Sequence, residues 1–505
     1  MALAKHIEAE KAYAGLLIDG VEGTPYVVAT LTLTPKNGLL VEVPYMMSGG
    51  GGQFSSVKRW FESDALPDAF QFKGDDLEVT MYRCRVSGRT RHFGRDLAVG
   101  RFVAESVVLG MRAIDQPFSV ATVRSRVDGL REWTGFTATE IERHTNDYAV
   151  IQGLTIRVES TAEVSWAQGD ASMSIGTDWE GREPRGGVGV DEWVTLSSTF
   201  DPPQPSAVHL ATQRVVRDLL VLVFGTPLRF RHHQVQDSSM PSPQYIENAP
   251  VHLPFLDLVL RETTWDHFQP SSADNSRERP IAYVDSFSAA ALATWAGMHE
   301  EWSRAIQPLV SLLNREWFTA DDVIVGANIS LEAIGHLLDP IEGEHVTYRD
   351  PKKPRTATTA TYLFRALQAI PTDLARFRFS LLGLARLVSD TYNSIKHYNR
   401  PQVTDVGHIA LIADISQLVA RLAILAQLPG VDDAVARYCA DYPFENVMNG
   451  FERLRVEVSD EGELVPWGES EDESQPPATD RAPLLEIEAA PSDPERSAQS
   501  EEMTR

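Results

Sequence analysis

The densest set of chemically useful side chains lies in DTYNSIKHYNRP (390–401). Asn393, Lys396, His397 and Arg400 stand at i, i+3, i+4 and i+7, and share one face if a helix runs on to Arg400. Pro401 stops that helix soon afterward. Metal-independent RNA cleavage needs such a set: a base for the 2′-hydroxyl proton, a cation for the phosphorane charge and an amide to hold geometry. His397 can serve as general base or acid near neutral pH. Lys396 and Arg400 can balance phosphate charge, and Asn393 can hold the phosphate or the imidazole. The same residues also fit an ordinary helix end, with cations facing the negative pole of the macrodipole and an Asn as cap. Glu332 and His336, at i and i+4 in ISLEAIGHLL, can orient His397 from a neighbouring helix or simply form a solvated face.

Other segments carry less chemistry. GGGG (49–52) lacks the Lys-Ser/Thr of a phosphate loop and reads as a flexible turn. His232 and His233 have no third ligand at a recognisable spacing, and Cys84 and Cys439 lie far apart, so neither a metal nor a cofactor is expected. YRCRVSGRTRHFGR (82–95) alternates like a hairpin with a charged solvent face.

The elements that must position these residues fall into two halves. To about residue 200, runs such as YVVATLTLTP, LEVTMYRCRV and GLTIRVESTAEVSW alternate or are β-branched, with Gly, Pro, Asn and Asp between them. VHLATQRVVRDLLVLVFGTP then has helical spacing and ends at Gly225 and Pro227. RFRHHQVQ and VHLPFLDLVLRE look strand-like, and the polar stretch 267–280 is a plausible boundary. From Ser286 the pattern is helical, with five or six helices. The expected class is α+β multidomain: a β-rich sandwich or barrel-like domain over 1–266, an all-α bundle over 281–456 and a disordered acidic tail over 457–505. PLLEIEAA (483–490) in the tail is a candidate docking peptide.

The net charge of the 505 residues is −25. From Val456 to Arg505 there are 15 acidic and 3 basic residues, a net of −12, so the body is only mildly acidic and a local RNA site is not excluded. No signal peptide and no membrane span is expected, because VVRDLLVLVFG is interrupted by Arg217 and Asp218. Two lone cysteines suit a reducing cytoplasm.

NSIKH at the end of one bundle helix, followed by a loop and a long apolar helix, resembles HEPN domains, whose signature is an Arg, four to six residues with Asn commonly first, then His. The β-rich half resembles the ApeA N-terminal domain, through ATLTLTP, LREWTGF (130–136) and GLTIRVESTAEVSW. The resemblance covers most of residues 10 to 450. It implies an antiphage defence effector: a HEPN-type ribonuclease that cleaves RNA without metal, works as a homodimer or higher homo-oligomer, and is controlled by a β-rich sensor of a phage-derived trigger. With His397 and Asn393 in the signature, the Arg position falls on Tyr392. Arg386 lies three turns before His397, about 16 Å along a helix axis. The resemblance therefore leaves a second reading, a catalytically lapsed HEPN-like scaffold for RNA binding or dimerisation. A carbohydrate- or peptide-binding sandwich with a helical oligomerisation module also fits the composition.

Overall fold

The computed structural model describes residues 6–467, apart from 23, 25, 49–52, 115–116, 147, 149, 161–162, 183–188, 241–244, 247–248, 251–254, 271–278, 350–351, 353–355, 373–379, 398, 401–402, 404 and 441. The GGGG turn, most of the 267–280 stretch, Pro401 and PLLEIEAA lie outside the described residues.

The chain opens with β1 (Ala12–Ile18), β2 (Val27–Thr34), β3 (Gly38–Met46), α1 (Gln53–Glu62), β4 (Ala69–Gly74), β5 (Glu78–Tyr82), β6 (Arg85–His92), β7 (Leu97–Val103) and β8 (Ser106–Leu109). There follow β9 (Ser119–Val127), α2 (Leu130–Thr134), β10 (Thr139–Thr145), β11 (Ile151–Val158), β12 (Glu163–Gln168), β13 (Ala171–Arg182) and β14 (Gly189–Pro205). Then come α3 (Ser206–Phe224), β15 (Phe230–Gln236), β16 (Tyr245–Ile246), β17 (Ala249–Pro250), β18 (Leu256–Leu260) and α4 (Thr264–Phe268).

Fourteen of these strands form one sheet in the order β12-β13-β14-β9-β15-β18-β8-β5-β4-β1-β2-β3-β7-β6. A twisted sheet of that width splits or curls, because one flat apolar face cannot be covered by one core. Here two apolar cores serve it, and β8 (SVVL) shows how. Val107 and Leu109 face a core built with α1, while Val108 faces a second core shared with the helices. A strand covered on both sides needs apolar residues without alternation. In β2, by contrast, Val27, Ala29, Leu31 and Leu33 are buried and the residues between them are not, as a one-sided strand requires. The paired strands β10 and β11 form a separate hairpin that leaves Ile141, Leu154 and Ile156 exposed.

The helical half contains α5 (Ala289–Glu301), α6 (Ser303–Leu313), α7 (Ala320–Leu337), α8 (Thr359–Gln368), α9 (Leu381–Lys396), α10 (Val406–Leu425), α11 (Asp432–Ala440) and α12 (Tyr442–Leu454). That is more than the five or six helices expected. The first apolar run breaks at Trp302, whose backbone leaves the helical region. The last is described as two helices, α11 up to Ala440 and α12 from Tyr442. The α+β class holds. A short hairpin of β19 (Val456–Val458) and β20 (Leu464–Pro466) extends order into the stretch expected to be a tail from 457.

The two halves share a core rather than meeting at a linker. Residues 1–465 form one compact unit. Its centre is α3, buried all round from Asp218 to Phe224 and packed on β9, β14, α5, α6 and α10. Gly225 ends α3 in the left-handed conformation, as expected. Arg421 of α10 donates from Nε to Leu222 O (2.7 Å) and from Nη2 to Val223 O (2.9 Å), satisfying carbonyls that a helix end leaves bare. A Cβ on Gly225 would stand 2.3 Å from Arg421 Nη1, so the approach needs glycine. Trp295 Nε1 donates to Val215 O (2.7 Å), and His299 Nε2 lies 3.0 Å from Asp218 Oδ2. The twenty-residue α10 has the length and mean hydropathy of a membrane span, which the sequence reading did not anticipate, but most of it is buried against the other elements.

Candidate functional site

α9 presents the sequence-predicted residues. Ser380 caps its start by accepting from Gly383 N–H (2.8 Å). The turn of the β19–β20 hairpin packs on its first half, where a Cβ on Gly383 would stand 2.0 Å from Ser459 O. Arg386 donates from Nη1 to Asp460 O (2.7 Å) and from Nη2 to Val346 O (3.2 Å), so its guanidinium fastens that hairpin rather than facing His397. Leu384, Val388, Thr391 and Tyr392 are buried.

The helix ends at Lys396. The residue after it, His397, has φ −122° and ψ 103°, while its N–H still donates to Asn393 O (3.0 Å). The single face expected to run from Asn393 to Arg400 is therefore cut short. His397 leaves the helical region, and the Arg400 N–H donates to His397 O (3.0 Å). Lys396, His397 and Arg400 are all exposed, and Asn393 is half-buried.

Each neighbour is engaged locally. Asn393 Nδ2 donates to Ser389 O (2.9 Å), within its own helix. Lys396 Nζ lies 3.4 Å from the Tyr392 hydroxyl and 5.3 Å from its ring centre. Arg400 Nη1 is 4.0 Å from Asp390 Oδ1. Among the described residues, no hydrogen bond or ion pair links the His397 ring to Asn393, Lys396 or Arg400. Tyr392, at the position of the missing arginine, belongs to the core. On α7, Glu332 is half-buried and His336 exposed. The His336 ring packs edge-on against Tyr362 of α8, with centres 5.4 Å apart, and neither residue is bonded to His397.

A buried pair fixes the α7–α8 corner. Arg365 of α8 makes two hydrogen bonds to Glu344, of 2.5 and 2.6 Å, and donates from Nη1 to Gly335 O (3.2 Å) at the end of α7. Hydrogen bonding from Arg365 outweighs burial and holds the Glu344 carboxyl down to about 2.

A second cluster of titratable groups, which sequence reasoning missed, lies in the sheet. β15 and β18 pair with Gln234 opposite Asp257. By alternation His232 and Gln234 share a face, and His233 takes the other. His233 is fully buried, with Nδ1 2.7 Å from Ser125 Oγ and Nε2 2.9 Å from Thr263 Oγ1. Burial pushes its imidazole down to about 3, so it is a neutral, satisfied core residue. His232 faces Asp257, with Nε2 3.1 Å from Oδ1, and His6 Nδ1 bonds Asp257 Oδ2. One donor atom from each of His6, His232 and Asp257 lies within 4.8 Å of the others. Burial raises the Asp257 carboxyl, but His232 and then His6 more than offset it, and the net direction is down. The group borders a cavity of about 430 Å³ that Arg126, Arg231 and His267 also line. The available signal was an Asp inside the apolar run PFLDLVL; nothing local pointed to His6.

No curated protein and no solved structure matches the chain. Residues 21–257, a little under half of the chain, match the family described as ApeA N-terminal domain 1, and over that β-rich region the chain is similar to that family.

Proposed function

We propose that the chain is an antiphage defence effector acting in the cytoplasm, with a HEPN-type, metal-independent ribonuclease in its helical half and a sensor of a phage-derived trigger in its β-rich half. The observation that supports this most is the exposed His397 between Lys396 and Arg400 at the open end of α9, in a chain whose β-rich half is ApeA-like. His397 takes the proton of an RNA 2′-hydroxyl. The 2′ oxygen then attacks phosphorus, and the 5′ oxygen leaves with a proton from a second imidazole. Lys396 and Arg400 offset the charge on the phosphorane oxygens. The Asn393 side-chain oxygen is left to orient the histidine, since its amide nitrogen is held by Ser389. One helix end offers a single imidazole, so a homodimer, or a larger homo-oligomer, supplies the second.

The test is incubation of purified wild type and His397→Ala with total cellular RNA in EDTA, with and without phage lysate. Wild type yields new fragments, and the variant cuts at least about a hundredfold more slowly. Intact RNA in every lane, with both proteins folded, overturns the enzymatic reading. A second reading is favoured by one observation: the position of the usual arginine holds a buried tyrosine. There the helical half is an RNA-binding or dimerisation scaffold whose catalysis has lapsed, and His397→Ala keeps full phage protection.

A further inference from the structure

We propose that His6, His232 and Asp257 form a binding site for a divalent transition-metal ion, zinc foremost, that fastens the N-terminal segment to strands β15 and β18. The three donors come from three separate segments of the chain and converge within 4.8 Å. Donor atoms on a zinc ion stand roughly 3.4 Å apart, given bonds of about 2.1 Å. His6 is exposed, so its ring can rotate to close the group. Two imidazoles with one carboxylate suit zinc and its neighbours, whereas calcium and magnesium prefer oxygen donors alone.

Independent features mark the place as built. His232 Nε2 is buried and makes no hydrogen bond of good geometry, although a carboxylate oxygen is 3.1 Å away. A metal ion satisfies that lone pair and the Asp257 charge together. Gln234 Nε2 donates to Asp257 Oδ1 (3.1 Å) from the facing strand, the kind of outer contact that orients a ligating carboxylate. The His6 and His232 rings meet edge-on, with centres 5.5 Å apart, so both can present nitrogens to one point. Ile7, next to His6, is buried in the sheet core and plants the segment there. Three protein ligands leave a coordination position open toward the cavity that Arg126 and Arg231 line. A water or an anionic group fits it.

Untagged full-length protein, stripped with EDTA and dialysed free of chelator, is titrated with zinc sulfate by calorimetry, and bound metal is measured by elemental analysis. One zinc per chain is expected. His6→Ala, at an exposed position, leaves the circular dichroism spectrum unchanged and weakens zinc binding at least about tenfold. His232→Ala weakens it further. Zinc also slows amide exchange over residues 6–10 in wild type and not in His6→Ala. A folded wild type that binds no zinc overturns the proposal, leaving only histidine–carboxylate ion pairs. So does a His6→Ala protein that binds zinc like wild type.

Discussion

The two histidine sites are built in opposite ways. At the end of α9 the reactive groups lie within eight consecutive positions, exposed apart from the half-buried Asn393, and their side-chain partners are residues of α9 itself. In the sheet, His6 and Asp257 are 251 residues apart and meet over a buried strand pair. The first site is easy to read and weakly constrained. The second is invisible to spacing and held by its surroundings. Substitutions should therefore separate: in the sheet and the shared core they cost stability, and at the helix end they cost chemistry alone.

The Glu344–Arg365 pair sets the upper limit for a buried carboxylate, because its cation is permanent. Glu344→Gln leaves Arg365 buried without a counter-charge and should destabilise by about 3–5 kcal/mol in urea unfolding at pH 7. Acid should do the same to wild type. The folded carboxyl sits near 2 and the unfolded one near 4.5, so this contribution, about 3 kcal/mol, is complete above the upper value and is lost as pH falls through the lower. The variant should show a flatter stability curve between those values. Equal acid slopes for the two proteins would mean that the pair does not hold the α7–α8 corner.

The join between the halves comes next. Arg421→Ala removes two donors from the last carbonyls of α3 and opens a void beside Gly225, so a loss of about 2–4 kcal/mol is expected. Because β9, β14 and the helices share that core, thermal unfolding of the variant should stay a single transition. Two separated transitions would show that the halves unfold independently.

Asp257→Asn tests the sheet site without metal. It keeps the shape and one acceptor but removes the charge facing both imidazoles, and should cost about 1–3 kcal/mol at pH 7 in chelator. An unchanged midpoint would place Asp257 with the weak surface pairs.

Much of the fold was legible because local pattern matched local environment. α3 showed its period and its Gly225 stop, and β2 its alternation. The shared core was not legible, since an apolar strand such as β8 reads the same whether it faces one core or two. The helix count failed where the signal was a single residue, Trp302, turning out of the helix. At the candidate site, residue types were readable but the end of α9 was not: four residues in register suggested one face, and the helix stopped at Lys396. The sheet cluster needed tertiary structure, because nothing near His6 in sequence distinguishes it.

The smallest stability effect belongs to the residue with the largest chemical claim. His397 is exposed, lies outside the helix, and its ring makes no bond to Asn393, Lys396 or Arg400 among the described residues. His397→Ala should thus shift the unfolding free energy by no more than about 0.5 kcal/mol, while removing RNA cleavage. Tyr392→Phe makes the complementary probe. It keeps the buried ring and deletes the hydroxyl near Lys396 Nζ, so stability should change by less than about 1 kcal/mol. If Lys396 acts on phosphate charge only from the position that this contact gives it, cleavage should fall with folding intact. A Tyr392→Phe protein that cleaves at the wild-type rate would assign the cationic role to Arg400 or to a partner chain.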